Sequence, residues 1–199
     1  METTALFLFF ALAALDWRAV RQKHKEIEYV AKPAALAALI VYAATGPAAS
    51  PLLIAALCLG LLGDVYLMLP VDLFMAGLAA FLVGHLAYIG LFDASTSWRL
   101  FWFVFLVLVT LPVSGRVVTA VKDTRLRAAV VVYLTVIIFM AASAFAAGEK
   151  MAALGAALFV ASDAIIAWDR FVQPLPWARV AIIITYHLGQ FGLVYALRV

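Results

Sequence analysis

The sequence is poor in charged residues and has a single cysteine. Only 13% of its 199 residues are charged and 68% are hydrophobic, whereas a soluble domain has roughly 25% charged and roughly 45–50% apolar residues. A soluble domain could not hide this much apolar surface from water, so the composition excludes a soluble enzyme, a disordered chain and a nucleic-acid-binding protein. Cys58 lies alone in an apolar run, which excludes a disulfide framework and a thiolate metal cluster.

The common catalytic and nucleotide-binding motifs are also missing. The sequence contains no G-x-S-x-G nucleophile elbow, no H-E-x-x-H zinc motif, no Walker A loop and no dinucleotide fingerprint. Only two of its three histidines, His85 and His187, lie in apolar segments, so a zinc site of three histidines is excluded. We therefore expect neither a metal nor another cofactor.

Eight segments are long and apolar enough to cross a bilayer, which requires about 20 mostly apolar residues. They cover residues 3–20, 33–48, 51–69, 72–92, 98–115, 126–147, 150–168 and 177–196. Backbone polar groups must find partners internally in hydrocarbon, so these segments are predicted to be helices. The predicted fold is all-α: a polytopic membrane protein whose eight transmembrane helices form one bundle and a single domain over residues 1–199.

The distribution of lysine and arginine predicts the orientation of this bundle. Of the 14 basic residues, 11 lie in the connections 1–2, 5–6 and 7–8, and the other three are Arg99, Lys150 and Arg198. Because the more basic side faces the cytoplasm, we expect both termini on the non-cytoplasmic side of the cell's inner membrane. The positive charges follow the first apolar segment instead of preceding it, so this segment is expected to be a retained span and not a signal peptide.

The two halves of the sequence share a short pattern. Segments 3 and 7 each carry a small residue followed by an aspartate, Asp64 or Asp163, and the next segment holds a histidine, His85 or His187. The pattern is compatible with a 4 + 4 internal repeat or with coincidence. A repeat would place both aspartates at similar depth in the cytoplasmic half of the membrane, since repeats of four helices keep the same orientation.

An ionisable side chain inside a transmembrane segment costs about 2.5–3.5 kcal/mol on insertion scales and usually marks a functional site. Asp64 and Asp163 each lie about 8–9 Å from a cytoplasmic helix end, from the rise per residue of a helix. One interpretation is a pair of carboxyl groups that face a shared cavity. The alternative is that each aspartate is structural and forms a hydrogen bond across a helix contact.

Other polar side chains are candidates for lining such a cavity, with structural hydrogen bonding as the alternative for each. They are His85, Tyr133, Tyr186, His187 and Gln190. The last three share a helix face, since their spacings are three and four residues. Lys32 and Arg179 lie near cytoplasmic ends, where they either bind a lipid phosphate or extend their charged ends to the interface.

Several short motifs, spread from about residue 30 to the C-terminus, resemble those of a known family. The residues concerned are Lys32-Pro33 at the start of segment 2, Gly63-Asp64 with Leu67, the stripe Gly77, Phe81, His85 and Tyr88, Tyr133 with Met140, the stretch from Gly155 through Phe159 to Ser162-Asp163, Pro174, Pro176 and Arg179, and Tyr186 with Gln190. In this order and spacing they resemble the YhhN-like lysoplasmalogenase family of eight-span membrane proteins.

The resemblance implies hydrolysis of the vinyl ether bond of lysoplasmalogens, giving a fatty aldehyde and glycerophosphocholine or glycerophosphoethanolamine. It maps the family's paired aspartates onto Asp64 and Asp163. Acid cleavage of a vinyl ether begins with protonation of its β-carbon, which creates an oxocarbenium ion that water then attacks. One protonated carboxyl and one carboxylate can perform this reaction, as they do in glycosidases, and burial beside a like charge favours the protonated form of one of them.

The predicted site therefore has Asp64 and Asp163 as catalytic residues, with the choice of acid left open. The predicted substrate-binding residues are Lys32, His85, Tyr133, Arg179, Tyr186, His187 and Gln190. The expected partners are a lysophospholipid substrate and the surrounding membrane lipid, and no nucleic acid. Two alternatives remain: a proton-coupled transporter or lipid-binding membrane protein, because buried carboxylates also carry protons, and a structural membrane subunit.

Overall fold

The computed structural model describes residues 1–47 and 49–198, and its regular secondary structure in this part of the chain is helical. The eight helices are α1 (Glu2–Gln22), α2 (Lys25–Ala44), α3 (Pro51–Met68), α4 (Phe74–Leu91), α5 (Thr96–Ala120), α6 (Thr124–Ala146), α7 (Lys150–Phe171) and α8 (Ala178–Leu197). All eight are long and apolar enough to cross a membrane. The prediction of an all-α, eight-span fold is thereby confirmed.

The largest difference from the predicted segments is at α2. This helix begins at Lys25 and not at residue 33, so Lys32 and Pro33 lie inside it instead of opening it. The connection from α1 is short because Lys23 adopts a left-handed conformation, with φ 61°, that ends α1 and turns the chain. The prediction was wrong here because it treated the charged stretch as a loop. Residue 48, the predicted end of this segment, lies outside the described residues.

The ends of α5 and α7 also extend beyond the predicted segments, to Ala120 and Phe171.

Side-chain caps set the starts of three helices in this half. Ser95, Asp123 and Glu149 accept hydrogen bonds from backbone N–H groups in the first turns of α5, α6 and α7. Such caps satisfy donors that a helix start would otherwise leave without a partner.

The helices form two compact units. The first contains Met1–Leu91 and the end of α8 from Val194 onward, and the second contains Phe92–Leu193. In the first unit, α2 packs between α1 and α3, and α3 packs on α4; in the second, α5, α6 and α7 pack on one another. The boundary between the two units falls between α4 and α5, which is also where the boundary between two four-helix repeats would lie. The repeat and the single domain stay predictions.

Within the first unit, the two ends of the chain meet. A guanidinium nitrogen of Arg198 lies 3.0 Å from a carboxylate oxygen of Glu2, and its guanidinium carbon lies 3.8 Å from the centre of the Tyr42 ring. The first turn of α1 and the residue after α8 are thus on the same side of the molecule. This is the arrangement that an even number of spans requires.

Glycines allow close helix contacts in both units. A methyl group at Gly63 of α3 would lie 2.6 Å from the Phe81 ring of α4. A methyl group at Gly155 of α7 would lie 2.6 Å from the backbone nitrogen of Leu193 on α8. Small residues let membrane helices approach until their backbones touch, and these two contacts hold the helices that carry Asp64 and Asp163.

Candidate functional site

The first candidate cluster is centred on Asp64 of α3. Asp64 is 1% exposed, and its Oδ1 atom lies 2.8 Å from the Nζ atom of Lys32 on α2. The two side chains form an ion pair between neighbouring helices. Transferring a charged group from water to a protein interior costs several kcal/mol per ion, which the attraction between the two charges must offset. Apolar side chains could pack these helices without that cost, so the ion pair is a candidate functional feature.

The early start of α2 explains how Lys32 reaches Asp64. Because α2 begins at Lys25, Lys32 lies in its second turn, on a helix that packs against α3. The side chain is only 13% exposed. Lys32 was predicted to be a substrate-binding residue at the interface, whereas the structure places its ammonium group against one of the two candidate catalytic carboxylates.

His85 lies in the same unit, on α4, and is 1% exposed. Its Nδ1 atom is 2.6 Å from the backbone carbonyl oxygen of Phe81, one turn earlier. A carbonyl oxygen can only accept a hydrogen bond, so Nδ1 carries the proton and Nε2 is the acceptor when the ring is neutral. The Phe81 ring, which packs on Gly63, meets the His85 ring edge-to-face with centroids 6.5 Å apart.

The second candidate cluster is centred on Asp163 of α7. The hydroxyl group of Tyr133 on α6 donates a hydrogen bond to the Oδ2 atom of Asp163. Tyr133 is buried, as are Ile137 and Met140 one and two turns later on α6. Asp163 itself is only half-buried, in contrast to Asp64.

The polar residues of α8 lie in the same unit as Asp163. Tyr186, His187 and Gln190 are all buried. The amide of Gln190 donates to the Tyr186 hydroxyl at 3.3 Å, and the Tyr186 ring packs edge-to-face on Phe159 of α7 with centroids 5.4 Å apart. The predicted common face of the three α8 residues is therefore present.

The first turns of α8 hold one contact with α7 and one exposed basic residue. The hydroxyl group of Ser162 donates to the backbone carbonyl of Ile182 on α8 at 3.2 Å, directly beside Asp163 in sequence. Arg179, the other predicted headgroup ligand, is exposed in the first turn of α8. Among the described residues, no group of three or more histidine, cysteine, aspartate or glutamate side chains could hold a metal ion.

A cavity of about 310 Å³ lies beside Asp163, between α5, α6 and α7. Among the described residues that line it, Asp163 is the one ionisable side chain. The hydroxyl groups of Thr110 and Ser114 also face the lining, but both donate to carbonyl groups of their own helix, at 2.7 Å and 3.4 Å. The cavity is thus an apolar space with one carboxyl group.

Each unit, taken by itself, presents an aspartate in the same manner. Asp64 is contacted from the preceding helix by Lys32, and Asp163 from the preceding helix by Tyr133. Sequence reasoning selected all four residues but missed both pairings. One signal was available: Lys32 and Tyr133 are separated by nearly the same number of residues as the two aspartates.

A protein-family model described as the YhhN family matches residues 27–197, which include every candidate site residue. The chain belongs to the YhhN family. The resemblance drawn from its motifs is confirmed, and this YhhN-family chain is an integral multi-pass membrane protein with eight apolar helices. No solved structure matches it.

Curated proteins similar to this YhhN-family chain come from animals and bacteria. It is 33% identical over 139 residues to lysoplasmalogenase TMEM86B of Homo sapiens, a match that covers 70% of this chain and 60% of that protein. It is 33% identical over 127 residues to membrane protein YhhN of Escherichia coli O6:H1, covering 61% of this chain and 60% of that protein. The chain spans about 60% of the length of these relatives.

Proposed function

We propose that this protein is a membrane-embedded hydrolase that cleaves the vinyl ether bond of lysoplasmalogens. The products are a fatty aldehyde and glycerophosphocholine or glycerophosphoethanolamine. The observation that carries the proposal is a carboxyl group, Asp163, that lines an apolar cavity and is held there by the hydroxyl group of Tyr133. The human and pig relatives named lysoplasmalogenase, each 33% identical, support the choice of substrate.

In the proposed reaction, Asp163 is the general acid. Its carboxyl group transfers a proton to the β-carbon of the vinyl ether, and the α-carbon becomes part of an oxocarbenium ion. The Asp163 carboxylate then removes a proton from a water molecule as the water oxygen bonds to the α-carbon. The resulting hemiacetal loses the glycerol oxygen as an alcohol and forms the aldehyde, so that one water molecule is consumed and nothing is oxidised or reduced. Proton transfer by a positioned side chain typically contributes about 10²–10⁴-fold to rate.

The partners of the two aspartates support different roles for them. The Lys32 ammonium group forms an ion pair with the Asp64 carboxylate at 2.8 Å. Tyr133 offers Asp163 a neutral phenol. In the two-carboxyl mechanism, Asp64 is therefore the carboxylate and Asp163 the acid. Lys32 becomes a positioning residue for Asp64, and Tyr133 one for Asp163.

The remaining predicted site residues keep proposed roles in substrate binding. Arg179, exposed at the start of α8, is proposed to bind the phosphate of the headgroup, as basic residues at a membrane surface do. His85, Tyr186, His187 and Gln190 are proposed to order the catalytic water and the glycerol hydroxyl groups. We also propose the inner membrane as the location, with both termini on the non-cytoplasmic side.

The deciding experiment measures aldehyde release from a lysoplasmalogen by the purified protein in detergent. The wild-type protein is expected to release aldehyde, and Asp64→Asn and Asp163→Asn are each expected to lower kcat by about 10²-fold or more while eluting as the same folded species. The saturated ether analogue, which has no vinyl bond, is the control substrate. Wild-type turnover in either aspartate variant would refute the role assigned to that residue.

The same assay separates hydrolysis from the transporter alternative. A proton-coupled transporter needs a gradient across a membrane, which detergent micelles do not provide. If the wild-type protein releases no aldehyde in detergent but moves a labelled lysolipid across vesicle membranes when a proton gradient is applied, the hydrolase proposal is wrong. In that case the Lys32–Asp64 ion pair would belong to a proton relay, a common function of buried carboxylates in carriers.

A further inference from the structure

The cavity beside Asp163 extends along α7 in both directions from this residue, and one of its two apolar arms is longer than the other. On α7 its lining runs from Ala157 to Ala167. Asp163 lies six residues after Ala157 and four before Ala167, which corresponds to about 9 Å and about 6 Å along the helix axis. The longer arm therefore points toward the start of α7, away from the end that leads to Arg170 and Arg179.

Short connections determine how α5, α6 and α7, the three helices that line the cavity, align with one another. α5, α6 and α7 follow one another through connections of a few residues, so neighbouring helices run antiparallel. Leu106, in the first half of α5, thus lies near the level of Ala157, and Phe145, one residue before the end of α6, lies farther toward the start of α7. The Phe145 ring packs against the ring of Trp102 on α5, with centroids 5.0 Å apart, and Phe145 is the last lining residue of α6 in the direction of the long arm.

The side chains that line the cavity determine which kind of ligand it can bind. The lining is apolar apart from Asp163, and the hydroxyl groups on α5 are already bonded to their own helix. The α7 wall contains Val160, Asp163 and four alanines, at positions 157, 161, 164 and 167, whose small side chains leave room for a ligand. An apolar arm with a carboxyl group at its base accommodates an unbranched hydrocarbon chain with a polar group at one end.

We infer that this cavity binds the alkenyl chain of the substrate, with the vinyl ether carbons at Asp163, the terminal methyl group toward Phe145 and the headgroup toward Arg179. The inference rests on the proposed function for the identity of the chain. It adds that Ala157 and Phe145 determine how long a chain the protein accepts. Neither the composition of the chain nor its similarity to known proteins assigns a role to these two residues.

The test compares hexadecenyl and octenyl lysoplasmalogens as substrates for Ala157→Phe. Ala157 is exposed toward the groove, so a larger side chain has space to enter the long arm without breaking the helix packing. The variant is expected to lower kcat/KM for the hexadecenyl substrate by about tenfold or more, because single methylene groups in an apolar pocket already change kcat/KM by roughly 10–200-fold. For the octenyl substrate kcat/KM should stay near the wild-type value. Ala128→Phe, the same substitution at an exposed alanine that does not line the cavity, is the matched control.

Phe145→Ala enlarges the cavity, whereas Ala157→Phe shortens it. The inference can therefore still be tested if Ala157→Phe does not fold. Removal of the Phe145 ring should shift the preferred chain to a longer one than in the wild-type protein. Wild-type turnover combined with an unaltered chain-length preference in both variants would overturn the inference and leave the proposed function intact. The absence of wild-type turnover on every substrate would instead refute the proposed function.

Binding supplies a readout that is independent of turnover. The saturated hexadecyl ether lysolipid carries the same chain without the scissile bond, and its dissociation constant can be measured by competition with a fluorescent fatty chain. Ala157→Phe is expected to weaken this binding by about tenfold, whereas Ala128→Phe leaves it unchanged. Equal binding by the two variants would contradict the assignment of the cavity.

Discussion

At the residue scale, the two aspartates differ in burial and in partner. Asp64 is 1% exposed and ion-paired with Lys32, whereas Asp163 is half-buried, bonded to a phenol and part of a cavity wall. A group that exchanges a proton with a substrate must reach it, and a group that stabilises a cation must keep its charge. The contrast therefore supports unequal roles for two residues that look equivalent in the sequence.

Tyr133→Phe tests the positioning of Asp163. Loss of a hydrogen bond to a carboxyl group is expected to remove about 1.5–3 kcal/mol, which corresponds to a fall in kcat of roughly 10–100-fold. KM should change little, because the hydroxyl group is proposed to touch the acid and not the substrate. Steady-state kinetics and the pH profile of kcat provide the measurement, with Tyr195→Phe at an exposed position of α8 as the control. An unchanged kcat and pH profile would contradict the proposed role.

Lys32→Met tests the ion pair. Removing one partner of a buried pair leaves an uncompensated charge, and the expected loss of stability is about 3–5 kcal/mol. Because the double variant Lys32→Met/Asp64→Asn carries no such charge, it should recover much of this loss. Unfolding in detergent by a denaturant gives the free energies, and Lys122→Met at an exposed position serves as the control for loss of a positive charge. A double variant no more stable than Lys32→Met would show that the contact with Asp64 is not the cause.

At the element scale, helix contacts through glycine determine where the site residues point. The contact of α7 with α8 at Gly155 sets the rotation of the helix that carries Asp163, and the contact of α3 with α4 at Gly63 does the same for Asp64. Gly155 touches the backbone of α8 and Gly63 touches the Phe81 ring of α4, so a shift at either glycine would displace the carboxyl group on the same helix.

Gly155→Ala tests this packing. The added methyl group would lie 2.6 Å from the Leu193 nitrogen and 2.8 Å from the Gly192 carbonyl carbon, so the helices must separate, at a cost of about 1–3 kcal/mol. Gly115→Ala is the matched control, since nothing lies within 4 Å of the added methyl group. That variant is expected to be at least as stable as the wild-type protein, because alanine stabilises helix interiors relative to glycine by about 0.5–1 kcal/mol. Equal unfolding free energies in the two variants would contradict the packing argument.

At the scale of the whole molecule, the two halves of the chain present their aspartates from equivalent helices. Lys32 and Asp64 lie on α2 and α3, and Tyr133 and Asp163 lie on α6 and α7. The division of the chain into two compact units falls between these sets. A 4 + 4 repeat, which stays a prediction, would place a lysine opposite the carboxyl group in one half and a tyrosine in the other.

The predicted topology can be tested on the whole protein. The ion pair between Glu2 and Arg198 keeps both ends on one side, and the excess of basic residues in the connections 1–2, 5–6 and 7–8 predicts that this side is not cytoplasmic. A C-terminal fusion to alkaline phosphatase, which folds only outside the cytoplasm, should be active. A fusion within the basic connection between α5 and α6 should be inactive. The reverse pattern would invert the proposed orientation.

The sequence alone was enough to predict eight helices, because hydrocarbon admits no other structure for long apolar segments. It also indicated the two aspartates, because a carboxyl group within an apolar segment is too costly to be incidental. The prediction was wrong at the start of α2, where a run of charged residues was interpreted as a loop. A helix can extend beyond the hydrocarbon, and α2 does so, which places Lys32 against α3.

Only the tertiary structure decided which side chains meet. Three features depend on the rotation and depth of one helix against its neighbour: the pairing of Lys32 with Asp64, the hydrogen bond from Tyr133 to Asp163, and the cavity that Asp163 lines. In a chain that is apolar on every helix face, the hydrophobic pattern does not mark which face is turned inward. Those rotations are set by glycine contacts and polar pairs between residues distant in sequence, which become visible only when the helices are packed.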